Sequence, residues 1–263
     1  MTQIVVGVDG SGPSRAALGW ALARAHDVGA PVLLAHVVDD EWGLAGPDVS
    51  ALDADQGRLM LDEALSVARD FMPSLELSSR LVHGSPAWEL VGLATKDDLL
   101  VVGTHKTGYL NGRVLGTRSV VVASVAPCSV VVVPDATAHG RQGILVGVAA
   151  GGSSDAAVVA GALEARRLRQ DLTLLHAVPA GADDGAAGLA AAAALAMATV
   201  PGLAVRSRLS RRRPAEALLD ASRTAVMLVL GPSRREPVNA GFLGSVTHEV
   251  LLNITTTVMV ARE

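Results

Sequence analysis

The chain is written twice. Ile4-Val5-Val6-Gly7-Val8 returns 140 residues later as Ile144-Leu145-Val146-Gly147-Val148, and His36 returns at the same offset as His176. Further on the offset is 128. Pro86-Ala87 answers to Pro214-Ala215, Gly103 to Gly231, and Leu115-Gly116-Thr117 to Leu243-Gly244-Ser245. The twelve residues lost fall between about 179 and 213, opposite a loop-like segment around Asp39 to Gln56, and loops tolerate such changes. A repeat of this length within 263 residues implies two copies of one domain, each near the usual domain size. The expected domains are 1–136 and 143–263, joined through the short polar stretch Asp135 to Gln142.

Each copy alternates Val-rich runs with helical patterns. In the first, Ile4 to Val8 reads as a strand, and Ala17, Leu18, Ala21, Leu22 and Ala25 mark one face of a helix. Strands follow at Pro31 to Val38, Glu76 to Val82, Leu99 to Gly103 and Ser129 to Val133. The intervening helices run over about Gln56 to Phe71, from about Pro86, and over Thr117 to Val125. Alternation of this kind predicts an α/β fold: two repeated doubly wound domains, each a five-stranded, mostly parallel sheet flanked by helices. Aromatic residues are only 2% of the chain, so the core must be built from Val, Leu and Ala. Continuous Val runs suit parallel strands buried on both faces.

A formal charge of -4 argues against a nucleic-acid partner, which needs a clear basic face. The cluster Arg206, Arg208, Arg211, Arg212 and Arg213 reads as a solvated edge strand and turn. Cys128, the single cysteine, excludes an internal disulfide and reads as a buried, inert thiol. The first residues show no basic head followed by an apolar segment. The most apolar stretch, Val120 to Val133, is interrupted by Pro127 and is too short to span a bilayer. The expectation is a cytoplasmic protein without a membrane partner.

Two strand ends carry unusual chemistry. One is Val8-Asp9-Gly10-Ser11-Gly12. The other is Gly103-Thr104-His105, followed thirteen residues after Gly103 by Gly116-Thr117-Arg118-Ser119 at a helix start. In doubly wound sheets, ligands sit outside the carboxyl ends of strands, where the strand order reverses. A helix start offers unpaired N–H groups and the positive end of the macrodipole; Gly116 admits a bulky anion, and Thr117 and Ser119 add hydroxyls. The alternative is that Thr117 only caps its own helix. Neither a Walker A nor a Rossmann glycine fingerprint is present.

These motifs together, with the closing Ala126-Pro127-Cys128-Ser129-Val130-Val131-Val132-Val133-Pro134, resemble the universal stress protein family in its tandem two-domain form, an adenine nucleotide alpha hydrolase-like fold. The likeness spans nearly the whole chain and is stronger in residues 1–135 than in 143–263. It implies an adenine nucleotide, ATP alone or with Mg, as ligand. It implies Asp9 on the sugar or metal side, the Val38 backbone at the base, Gly103 near the phosphates, and Gly116, Thr117 and Ser119 at a phosphate-binding helix start. Arg118 lies beside this set and is not counted in it. The family's ATP-binding pattern has a further glycine where this chain has Lys106, and Arg234 stands at the matching place in the second copy. Lys106 either blocks the pocket or turns its ammonium toward the phosphates. Asp9 is matched by Ala149, and the second copy is shortened near Val178, so the first domain is expected to bind and the second to bind weakly or not at all. The family's terminal strands pair two domains antiparallel, so the two halves are expected to pack as a pseudo-twofold pair, leaving other surfaces free for a homodimer.

Conventional catalysis is not indicated. No histidine pair has close metal-ligand spacing; each histidine, His36 and His176 included, reads as structural or solvent-exposed, and His105 is the histidine best placed near a ligand. Ser11 reads as a turn or helix cap rather than a nucleophile, and the carboxylate pairs Asp39-Asp40 and Asp97-Asp98 as loop or surface residues. The expected function is a nucleotide-binding regulatory protein of the stress response with slow or no hydrolysis. The alternative is a scaffold or signalling protein of the same fold that has lost the pocket.

Overall fold

The computed structural model describes residues 2–39, 47–104, 109–110, 113–114, 117–135, 140–149, 154–178, 185–232 and 243–263. The chain divides into two compact units, Met1–Asp135 and Ala136–Glu263.

In the first unit the elements run β1 (Ile4–Gly7), α1 (Gly12–Val28), β2 (Val32–Asp39), α2 (Pro47–Phe71), β3 (Leu77–Gly84), α3 (Pro86–Gly92), β4 (Leu99–Thr104), two short strands β5 (Tyr109–Leu110) and β6 (Arg113–Val114), α4 (Thr117–Val125) and β7 (Ser129–Pro134). The sheet order is β7-β4-β1-β2-β3 with every neighbour parallel. β5 and β6 pair antiparallel apart from it. The second unit repeats the plan with β8 (Ile144–Gly147), α5 (Asp155–Leu168), β9 (Leu172–Ala177), α6 (Ala186–Thr199), β10 (Val205–Ser210), α7 (Pro214–Ser222), β11 (Met227–Leu230), α8 (Ser245–Leu252) and β12 (Thr257–Val260). Its order, β10-β9-β8-β11-β12, is again wholly parallel.

The Val-rich runs behave as their composition demands. Ile4, Val5, Val6, Leu100, Val101, Val130, Val131 and Val132 are all fully buried, each side chain contributing about 1.5–3 kcal/mol of transfer free energy. The stripe on α1 is buried at Ala17, Leu18, Ala21, Leu22 and Ala25. Ser11 caps that helix, its hydroxyl accepting the Ser14 N–H at 3.2 Å, and Gly29 closes it in the left-handed conformation at φ 68°. Cys128 is buried. Strands β3 and β10, each at one end of its unit's sheet order, carry exposed runs. Three arginines of the β10 region are drawn into surface pairs: Arg206 with Asp171 at 2.8 Å, Arg212 with Asp220 and Glu216, and Arg213 with Glu249 at 3.7 Å. Among the described residues no helix is long and apolar enough to cross a membrane.

Two expectations need correction. Helix α2 begins at Pro47 rather than near Gln56, because a proline at the first helical position gives up no intrahelical hydrogen bond and starts the helix where the loop was expected to continue. Asp98 is not a surface residue. Its neighbour Asp97 is exposed, but Asp98 is only 5% exposed. One carboxylate oxygen accepts the Gln3 N–H at 3.0 Å; the other accepts the Thr95 N–H and hydroxyl, both at 2.8 Å. The carboxylate thus ties the turn before β4 to the start of β1. Burial pushes its pKa upward, but the hydrogen bonds from Thr95 and Gln3 prevail and hold it below the ordinary value.

A depressed folded-state pKa stabilises the protein above the unfolded carboxylate range, and that stability is lost as pH falls through the folded value. Asp98→Asn should therefore cost about 1–3 kcal/mol at pH 7, since buried donors lose their charged acceptor. The gap between variant and wild type should narrow below about pH 4. Urea unfolding at both pH values checks this; an equal gap at both would contradict it.

Candidate functional site

The strand order places a topological switch between β1 and β4: from β1 the chain adds β2 and β3 on one side, then returns to add β4 and β7 on the other. Crossovers leave the sheet to opposite faces there, so a crevice opens at the carboxyl ends. A cavity of about 330 Å³ occupies this place, near the lower end of the ~300–1,000 Å³ typical of small-molecule pockets. The ends of β1, β2 and β4 and the first turns of α1, α3 and α4 form its walls. Val8, Val38, Pro86, Ala87, Leu90, Val102 and Val122 give it an apolar side; Asp9, Ser11, Asp39 and Arg118 give it a polar one.

The expected site residues fall as follows. Asp9, Val38, Gly103 and Ser119 all line this cavity. Thr117 is the first residue of α4. Lys106 and Gly116 lie outside the described residues, as do His105, Asp40 and Arg234. Arg118, set aside in the sequence, lines the cavity and pairs with Asp39 at the end of β2. The placement follows from helical geometry: the second residue of α4 projects where the first turn faces the strand ends.

Local hydrogen bonds set the polar side. The Asp9 carboxylate accepts the Ser11 N–H at 2.9 Å, folding the turn between β1 and α1 back on itself. Ser14, only 3% exposed, accepts the Asp9 N–H at 3.2 Å. The His36 Nδ1–H donates to the Val8 carbonyl at 2.7 Å, which fixes the end of β1 against β2. The Ser119 hydroxyl donates to Thr104 at 3.1 Å and so ties the first turn of α4 to the end of β4.

The second unit keeps this frame and changes its chemistry. Ser154 accepts the Ala149 N–H at 2.8 Å, as Ser14 does for Asp9. His176 donates to the Val148 carbonyl at 2.7 Å, as His36 does to Val8. Thr247 ties the start of α8 to the Gly231 carbonyl at 3.0 Å, in the place of Ser119. A methyl group stands at Ala149 where the first unit has a carboxylate.

Two features were missed in the sequence. Each histidine ring rests against a glycine. A Cβ on Gly57 would lie 2.7 Å from His36 Cδ2, and one on Gly185 would lie 2.2 Å from His176 Cδ2. The glycines are 128 residues apart, and that signal was present in the repeat. The second feature is the reason for Gly103. A Cβ there would lie 2.4 Å from the Pro13 carbonyl carbon and 2.7 Å from the Ser14 nitrogen. These are backbone atoms at the start of α1, which cannot swing aside. Gly103 is therefore required by the packing of β4 against α1, before any ligand is considered.

Comparison with known proteins settles the family. The sequence profile of the universal stress protein family matches residues 1–134 and again 140–262. The chain belongs to the universal stress protein family. A universal stress protein of Mycolicibacterium smegmatis is 31% identical over 284 residues, covering 98% of this chain and 96% of that one. One from Mycobacterium tuberculosis strain H37Rv is 31% identical over 287 residues, covering 99% and 96%. The crystal structure of a universal stress protein from Archaeoglobus fulgidus superposes with a TM-score of 0.78 at 16% identity, covering 99% of this chain and 96% of the other. At that identity the likeness concerns the fold, and it extends over both family domains.

Gly103→Ala should destabilise the ligand-free protein by about 1–3 kcal/mol, the usual penalty of overpacking a tight interior contact. Denaturant unfolding without nucleotide measures this. A loss below about 0.5 kcal/mol would mean that Gly103 serves something other than the contact with α1.

Proposed function

We propose that the first unit binds an adenine nucleotide, ATP by preference, in the cavity at its switch point, and that the protein is a nucleotide-responsive regulator rather than an enzyme with rapid turnover. The observation that carries this is the joining of one apolar slot to one polar end within a single cavity of about 330 Å³. Apolar walls of Val and Leu suit a flat base. The end of β2 at Val38 offers backbone groups for its edge, and Asp9 is an acceptor for sugar hydroxyls or an oxygen donor beside a phosphate-bound Mg. The first turn of α4 offers the positive end of a helix dipole to the phosphates, with the Arg118 cation beside them.

The hydroxyls of the cavity suit holding a ligand better than attacking one. That of Ser11 accepts the Ser14 N–H, and that of Ser119 donates to Thr104. A positioned base for water is a further requirement of phosphoryl transfer, and slow or absent hydrolysis is the consistent expectation. The second unit favours the scaffold reading, on one observation: Ser154 accepts the Ala149 N–H as Ser14 accepts that of Asp9, with no carboxylate at that position.

Calorimetric titration of the full chain with MgATP tests both parts. About one nucleotide per chain is expected, and Asp9→Ala should weaken binding roughly tenfold or more, in line with the loss of a charge-assisted hydrogen bond. Two equivalent sites per chain would refute the asymmetry, and an unaltered affinity in Asp9→Ala would refute the site.

A further inference from the structure

Among the described residues lining the cavity, Arg118 is the one with a permanently cationic side chain, and it is already engaged. Its guanidinium pairs with the Asp39 carboxylate, the last residue of β2, immediately after Val38. The pair joins the end of β2, where a base would sit, to the first turn of α4, where phosphates would sit. Its two side chains differ in exposure: Arg118 is 62% exposed and Asp39 26%. An ion pair this open to solvent is weak and screened by salt, so the arginine can be drawn away cheaply. A phosphate group at the same helix start offers more: a bidentate, charge-assisted contact in the field of the α4 dipole.

We propose that Asp39 acts as an internal stand-in for phosphate, holding Arg118 across the cavity until a polyphosphate takes it over, so that Arg118 sets the preference for ATP over adenosine and Asp39 moderates it. The proposal rests on the nucleotide reading of the same cavity. The exchange works through differential interaction: a ligand gains from Arg118 only if it carries an anion, and every anionic ligand first displaces Asp39. A nucleoside enters with the ion pair intact and gains nothing from it. Asp39 therefore lowers ATP affinity in proportion to the strength of the pair, and Arg118 raises it.

The test is a double-mutant cycle on the full chain, titrating ATP and adenosine separately by calorimetry, with thermal unfolding as the control for folding. Asp39→Asn should raise the ATP-to-adenosine affinity ratio about two- to five-fold, the size of a surface ion pair. Arg118→Gln should lower the ratio by about tenfold. In the double variant the gain from Asp39→Asn should vanish, because the stand-in then has no arginine to hold. If the gain persists without Arg118, Asp39 acts only by repelling phosphate and the exchange is wrong. A ratio that is unmoved or lowered in Asp39→Asn also overturns it, while the nucleotide site itself stands. If the wild-type protein binds neither ATP nor adenosine, the nucleotide reading fails and takes this inference with it.

Discussion

Strands that are apolar on both faces cannot meet water on either, and most of what this protein is follows from that constraint. Residues such as Val5, Leu100 and Val131 in the first unit, and Val146, Leu228 and Val258 in the second, are wholly buried. Helices must therefore cover both sides of each sheet, so strands must be parallel and joined by crossovers. Once crossovers leave to opposite faces, the carboxyl ends of β1 and β4 are pushed apart and a crevice is unavoidable. With so few aromatic residues, helices approach the sheet closely. At Gly103 the contact becomes backbone against backbone, leaving no room for a methyl group beside Pro13.

The repeat shows which parts of the site are architecture and which are chemistry. The buried serine at the start of the first helix, the histidine bonded to the strand-end carbonyl, and the glycine beneath its ring occur in both units. They hold the end of the first strand of each unit whether or not a carboxylate follows it. His176, with Nδ1–H given to Val148, keeps a buried Nε2 that has no partner among the described residues. Asp9 belongs to one unit alone, which is why the proposed nucleotide site is assigned to the first unit.

Much of this was legible in the residues. Periodicity and Val runs gave the order of the sheet strands and helices of the first unit and even the limits of α4, but not the short pair β5 and β6, because long patterns of burial leave a regular trace and two-residue strands do not. Ser11 read as a cap, since its partner Ser14 lies only three residues ahead at the start of the helix. What escaped was set by contacts between distant segments. Asp98 looked like half of a surface acidic pair, but it accepts from Thr95 nearby and from Gln3, 95 residues away, and is buried between them. Arg118 and Asp39 are 79 residues apart, and nothing in either neighbourhood announces the other. The role of Gly103 was read toward a ligand because glycine at a strand end has two physical uses, and sequence alone does not rank them.

The most direct test of the central claim is a crystal structure of the full chain grown with MgATP. Density for the adenosine moiety is expected among the carboxyl ends of β1, β2 and β4, with phosphates at the first turn of α4 and Arg118 turned from Asp39 toward them. A structure at millimolar ATP with that crevice empty and the Arg118–Asp39 pair intact would contradict the account.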